Sequence, residues 1–130
     1  MTKEEIIQYW IKTAELDYDT MTNLFKNKKY SWSLFIGHLV TEKLLKAYYV
    51  KIVDSNVPRT HNLLRLAELS SLSLSQNSKD FLTKLTGFNI NARYPDYKLK
   101  IYKICTKEFT GKFIKEIGKF KKWIIEKIKK

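Results

Sequence analysis

Residues that build small catalytic or metal sites are scarce in this sequence. Among 130 residues there are one cysteine, two histidines, two prolines and three arginines. The single cysteine, Cys105, excludes an intrachain disulfide and a metal site built from several cysteines. No glycine-rich phosphate loop, metal-ligand spacing or Ser/His/Asp arrangement is present. The sequence therefore predicts no metal and no cofactor.

Long apolar runs are missing as well. No stretch approaches the ~18 consecutive apolar residues that a membrane-spanning helix requires. The N-terminal sequence MTKEEIIQYW contains no apolar signal core. We therefore expect a cytoplasmic protein that does not act at a membrane.

Positive charge, by contrast, is in excess. The net charge is +12, from 25 Lys and Arg residues against 13 Asp and Glu residues. Such a surplus favours phosphate-bearing partners, because neutralising phosphates releases their condensed counterions. It equally fits a solvated lysine surface that keeps the protein in solution. Charge thus suggests nucleotide or RNA as a partner class without establishing it.

Apolar periodicity predicts one all-α domain over residues 1–130, an up-and-down bundle of four or five helices. The first helix is capped by Thr2 with Glu5, and a second runs from about Tyr30 to Val53 with Trp32 on its apolar face. The short connection between them predicts an antiparallel hairpin. Thr60 and Ser78 are candidate caps for two further helices. Pro95 predicts a break in the helical pattern. The alternation of apolar and basic residues over 97–104 then favours an extended segment, with a helix as the alternative. A last helix is expected from Thr106.

Two charges fall on apolar helix faces. Asp17 lies among apolar residues of the first helix and Lys43 among those of the second. A lone buried charge is costly, so such groups are usually paired. We predict that Asp17 and Lys43 meet in a core polar network, with His38 as a further partner. The alternative is that Lys43 extends to the edge of the core.

The second helix also carries His38, Glu42 and Lys46 at intervals of four, on a face with further apolar residues. A helix that is apolar on two sides is either central in its bundle or part of an oligomer interface. We expect a homodimer that uses part of this face.

In the last helix, Gly111 and Gly118 suggest close approach of another helix. The lysines of this helix form either a phosphate-facing stripe or a solvated face.

Several segments of the sequence form a recognisable series. In order, they are Trp10, Ala14 and Asp17, then Tyr30, 35–47 (FIGHLVTEKLLKA), 58–63 (PRTHNL) and 92–96 (ARYPD). Together these segments resemble the HEPN domain (higher eukaryote and prokaryote nucleotide-binding). The resemblance implies a helical bundle that commonly dimerises. It also implies a minimal nucleotidyltransferase as partner, in pairs that behave as toxin–antitoxin modules.

Many members of that family are metal-independent ribonucleases with an arginine followed, after four to six residues, by histidine. No arginine of this sequence has a histidine at that spacing. We therefore expect no ribonuclease activity by the usual route. A divergent endoribonuclease toxin using His61, Arg93 and Asp96 is one alternative reading, and a purely structural interaction module is another.

The expected function is binding of nucleotide or RNA phosphates. Arginine can hold a phosphate through two parallel hydrogen bonds, and a tyrosine can stack on a base. The same residues could instead only brace the bundle. The candidate binding residues are Glu42, Lys46, Arg59, His61, Arg93, Tyr94 and Asp96.

Overall fold

The computed structural model describes residues 1–96 and 99–130, and these form six helices and no strand. The predicted all-α bundle is confirmed, and one short helix that was not predicted, over residues 100–104, brings the number to six. None of the six combines the length and apolar character needed to span a membrane. The helices are α1 (Lys3–Lys26), α2 (Tyr30–Ile52), α3 (Leu63–Leu69), α4 (Gln76–Arg93), α5 (Lys100–Ile104) and α6 (Lys107–Lys129).

Two of the predicted helix starts are confirmed. Thr2 and Glu5 form a reciprocal capping box at α1, and Thr106 caps α6 by accepting a hydrogen bond from the Phe109 amide. The other two predicted caps are wrong by two or three residues. Asn62 rather than Thr60 caps α3, and Ser75 rather than Ser78 caps α4. In both segments several residues that can cap stand close together, so composition alone does not select among them.

Helix α2 is the centre of the bundle and packs against α1, α3, α4, α5 and α6. Its buried residues lie all around its circumference, as expected for a central helix. Leu34 and Leu45, on the face expected to join a homodimer, are fully buried within the chain. The apolar character of that face is therefore explained by packing inside the molecule. Trp32, expected among the core residues of α2, is instead 44% exposed.

Helices α1 and α2 form the predicted antiparallel hairpin, and a polar pair joins them. Lys43 Nζ lies 2.6 Å from Asp17 Oδ2, and both side chains are about a quarter exposed. Helix α6 also packs against α2, and Lys51 Nζ of α2 donates to the carbonyl oxygens of Lys127 and Ile128. A lysine at this position satisfies terminal carbonyls of α6 and complements the negative end of its dipole.

The chain leaves the helical pattern after Arg93, close to where Pro95 predicts a break. Helix α4 nevertheless includes Asn91, Ala92 and Arg93, so the break begins at Tyr94. The predicted extended segment over 97–104 is wrong for residues 100–104, which form α5, and Tyr97 and Lys98 lie outside the described residues.

Burial explains why α5 is helical. Ile101 and Cys105 are both buried, and their spacing of four residues places them on one side of a helical turn. The sequence pattern could not single out Ile101 and Cys105, because Tyr102 and Ile104 are apolar residues of the same segment and yet are exposed. Burial also raises the pKa of the Cys105 thiol to about 11.

Candidate functional site

A buried carboxylate on α2 organises a polar cluster that joins α2 to the loop before α3. The Glu42 side chain is 7% exposed. Its Oε1 accepts a hydrogen bond from Nδ1–H of His61 at 2.8 Å, and its Oε2 accepts one from Lys46 Nζ at 3.0 Å. A buried carboxylate requires such partners, because its desolvation is otherwise uncompensated. Glu42 therefore fixes the positions of one histidine and one lysine.

His38 lies one turn before Glu42 on α2 and is fully buried. Its Nε2–H donates to the backbone carbonyl of His61 at 2.8 Å. Its Nδ1 lies 4.0 Å from Glu42 Oε1 and has no hydrogen-bond partner among residues 1–96 and 99–130. Burial lowers the pKa of His38, and the bond to the His61 carbonyl and the Glu42 charge only partly oppose this. His38 is thus a neutral donor that holds the loop.

The loop before α3 is attached to α2 twice through one residue. His38 binds the backbone of His61, and Glu42 binds its side chain. The His61 side chain is nevertheless 59% exposed. Because Nδ1 carries the proton donated to Glu42, Nε2 is the ring nitrogen available for a ligand. The two histidines thus have different roles, one structural and buried, the other oriented and accessible.

Lys46 sits on the inner side of this cluster. Besides its bond to Glu42, its ammonium lies 5.3 Å from the centroid of the Trp10 ring on α1. Its side chain is only 12% exposed. Of the predicted cationic ligand residues, Lys46 is therefore the one most enclosed by protein groups. It serves the site mainly as a counter-ion for Glu42.

Arg93, at the end of α4, borders the same cluster. Its guanidinium carbon lies 5.2 Å from the centroid of the Phe35 ring, one turn before His38 on α2. Its positive charge also contributes to lowering the pKa of His38. Arg93 is exposed, and Trp32 packs edge-on against Phe35 at 5.8 Å. An aromatic face thus supports a guanidinium that still reaches solvent.

The remaining predicted ligand residues lie at or beyond the margin of this cluster. Tyr94 is 76% exposed and follows Arg93 directly. Asp96 accepts a hydrogen bond from the Lys100 amide at 2.9 Å, so its carboxylate helps to begin α5. Arg59 is exposed in the loop before His61 and forms no ion pair within the described part of the chain.

The predicted polar network of Asp17, Lys43 and His38 divides into two separate groups. Asp17 and Lys43 pair between α1 and α2, as predicted. The prediction that His38 joins them is wrong, because His38 is bonded to His61 and lies beside Glu42. The physical reason is the wheel position of His38, which faces the loop before α3 rather than α1.

Sequence reasoning missed two aromatic residues that shape the site. Trp10 and Phe35 were not predicted as site residues, yet each ring supports a cation of the cluster. Both pairs join residues distant along the chain, so no local spacing signals them. Across the described ranges, no group of three or more His, Cys, Asp or Glu side chains could hold a metal ion. What the cluster offers is an accessible imidazole and an exposed guanidinium, which can bind an anion by charge-assisted hydrogen bonds.

A comparison with known protein families gives a match over most of the chain. A family model described as the HEPN domain matches residues 7–128, nearly the whole chain. The resemblance inferred from the sequence is therefore confirmed, and it supports a nucleotide- or RNA-related role for this helical module. No curated protein and no solved structure matches the chain.

Proposed function

Because the chain belongs to the HEPN domain family, we propose that it binds nucleotide or RNA phosphates at the cluster around His61 and Arg93. The observation that carries this proposal is the geometry of His61. A buried Glu42 holds its Nδ1 at 2.8 Å while most of the ring stays in solvent. A histidine oriented in this way presents Nε2 at a fixed position, and in its imidazolium form the Nε2–H can donate to a phosphate oxygen. The Arg93 guanidinium lies close enough to His38, which is bonded to His61, to help lower the pKa of His38.

The charge of the surroundings supports an anionic ligand. Glu42 is neutralised within the cluster by Lys46, so its carboxylate does not face an incoming phosphate. Arg93 and Arg59 are both exposed cations. Tyr94 is available as a stacking surface for a base, a contact worth about 1–3 kcal/mol in single-strand binding. We propose that these residues form one phosphate-binding site. We also propose that residues 1–130 act as a single domain.

Substitution of Arg93 tests the proposal. We expect Arg93→Gln to weaken binding of a labelled single-stranded RNA about tenfold and to lower the salt slope of binding by about one. Fluorescence anisotropy at about 50 and 200 mM salt measures both quantities. Lys79→Gln is the matched control, because Lys79 is an exposed cation at the other end of α4. Equal effects of the two substitutions would indicate only non-specific attraction.

One observation favours a second candidate function, cleavage of RNA. The Glu42–His61 pair leaves Nε2 able to accept the proton of a ribose 2′-hydroxyl. The 2′-oxygen would then attack phosphorus, the bond from phosphorus to the 5′-oxygen would break, and water would supply the proton of the leaving 5′-hydroxyl. Arg93 would stabilise the added negative charge. Asp96 is bonded to the Lys100 amide, so Glu42 rather than Asp96 orients the base.

The two candidates are separated by the fate of the RNA. Cleavage in excess EDTA that yields 2′,3′-cyclic phosphate ends, and that is lost in both His61→Gln and Arg93→Gln, would establish the enzyme. Intact RNA together with binding that depends on Arg93 would establish the binding function alone. We favour the second result, since no arginine here is followed by histidine at the spacing of the family's ribonucleases.

We further propose the partners that the family resemblance implies: a homodimer, and a minimal nucleotidyltransferase with which the chain forms a toxin–antitoxin-like module. Family membership supports this proposal. Sedimentation of the purified chain tests self-association, and co-expression with the neighbouring reading frame tests the second partner. A monomer at all concentrations, and a neighbour that neither encodes a nucleotidyltransferase nor co-purifies, would contradict it.

A further inference from the structure

A second concave surface lies between the first half of α4 and the middle of α6, and we call it the α4–α6 groove. The backbones of these two helices stay apart, and aromatic side chains bridge the space between them. Two adjoining cavities of about 250 and 380 Å³ open there. Both are lined by Asn77, Phe81 and Glu116, so they form one continuous groove.

The floor of the groove is aromatic. The Phe81 ring on α4 lies 6.1 Å from Phe113 and 6.2 Å from Phe120, measured between centroids. Phe120 in turn lies 5.7 Å from Trp123, which is 36% exposed. A row of aromatic rings at the bottom of a concave surface is typical of sites where a partner inserts apolar side chains. The floor therefore favours a ligand with an apolar stripe.

The rim of the groove carries charges of both signs. Asp80 and Lys84 lie on the α4 side, and Lys112, Glu116 and Lys119 lie on the α6 side. A nucleic acid would bring phosphates towards Asp80 and Glu116, where like charges repel. A protein helix can place an acidic residue against each lysine and a basic residue against each carboxylate. The rim therefore favours a helix with mixed charges over a polyanion.

The length of the groove sets the length of its occupant. On α6 it extends from Lys112 to Trp123, about three helical turns or roughly 17 Å at 1.5 Å per residue. An amphipathic helix of that length presents apolar residues at i, i+3 or i+4, and i+7 to the floor. We propose that the α4–α6 groove binds an amphipathic helix of a partner protein, with charges of both signs beside its apolar stripe.

This proposal is independent of the phosphate site, because the groove shares no residue with the cluster around His61 and Arg93. Selection from a phage-displayed library of random helical peptides of about five turns tests it, since such peptides exceed the groove in length. We expect the wild-type chain to enrich amphipathic peptides of mixed charge. Synthetic copies of them should bind about tenfold more weakly to Trp123→Ser and to the double variant Lys112→Glu/Lys119→Glu.

The control variant is Lys115→Glu/Lys122→Glu, which makes the same charge change on the same helix outside the groove. Peptide binding within about twofold of wild type in this control is required. The proposal is overturned if no peptide is enriched more strongly on the wild-type chain than on the Trp123→Ser variant. It is likewise overturned if both double variants weaken peptide binding equally. It is also overturned if an oligouridine binds and only Lys112→Glu/Lys119→Glu abolishes that binding, or if the groove variants abolish self-association. Binding of RNA at Arg93 is measured separately, so either proposal can fail alone.

Discussion

At the scale of single residues, the molecule separates its two histidines by environment. His38 is fully buried and donates from Nε2 to a backbone carbonyl, whereas His61 is mostly exposed and donates from Nδ1 to Glu42. One carboxylate and one buried imidazole thus fix the accessible ring in both position and tautomer. The chemistry available at the surface depends on a residue, His38, that no ligand can reach.

The lowered pKa of His38 predicts how stability depends on pH. The unfolded chain takes up a proton near the ordinary value of 6.5, whereas the folded chain does so only at lower pH. The unfolded state therefore binds more protons as pH falls through 6.5, and the free energy of unfolding falls with it. We expect urea midpoints measured from pH 7.5 to 5.5 to decline less steeply in His38→Gln, which keeps a donor for the His61 carbonyl. A decline of unchanged steepness in His38→Gln would contradict this assignment.

At the scale of helices, a glycine allows α1 and α6 to pack closely against the central helix α2. A Cβ atom added at Gly37 would lie 2.5 Å from Ile117 Cδ1 and 3.1 Å from Met21 Sδ, and both neighbours are buried. Glycine in a helix interior normally costs about 1 kcal/mol relative to alanine. Here the close packing of α1 and α6 against α2 outweighs that cost.

Alanine substitutions test this packing. We expect Gly37→Ala to lower the free energy of unfolding by about 1–2 kcal/mol, because overpacking exceeds the gain in helix propensity. Ile117→Val removes the clashing methyl group, so Gly37→Ala should be much less damaging in that background. Gly87→Ala in α4, whose added Cβ meets no atom within 4 Å, should instead stabilise by up to about 1 kcal/mol. Urea denaturation measures all four variants, and an equal loss in both backgrounds would refute the clash.

The α1–α2 hairpin contains the pair that its sequence pattern predicted. With Asp17 and Lys43 each about a quarter exposed, solvent screens their attraction. A double-mutant cycle with Asp17→Asn and Lys43→Gln should give a coupling energy of about 0.5–1 kcal/mol that decreases at high salt. A coupling of zero at low salt would show that the two charges act independently.

At the scale of the whole molecule, the sequence predicted the structure correctly where residues close together along the chain decide it. The caps at Thr2 and Thr106, the hairpin and the break near Pro95 all follow from local patterns. The α5 helix did not, because its burial depends on two residues, Ile101 and Cys105, within an otherwise exposed segment. For the site, spacing linked Glu42 to Lys46. His61 is bonded to α2, and the Trp10 and Phe35 rings support Lys46 and Arg93. These contacts join residues that are distant along the chain, so no periodicity encodes them.

The two proposed surfaces occupy different parts of the molecule. The cluster around His61 and Arg93 lies where α2, the loop before α3 and the end of α4 meet. The α4–α6 groove is lined by the beginning of α4 and by α6. Because the two surfaces are separate, a phosphate-bearing ligand and a protein helix could bind the chain at the same time. Competition between the two ligands would contradict this arrangement.

The central claim is that His61 and Arg93 contact phosphate, and the two histidines allow a direct measurement. A long-range ¹H–¹⁵N NMR spectrum of the imidazoles, recorded during titration with a short single-stranded RNA, observes both rings at once. A one-bond ¹H–¹⁵N spectrum of the arginine Nε–H groups, recorded on the same samples, observes Arg93. The account predicts that the Nε2 signal of His61 and the guanidinium signal of Arg93 shift together, while the buried His38 signals stay in place. Saturating RNA that leaves the His61 and Arg93 signals unchanged would contradict it.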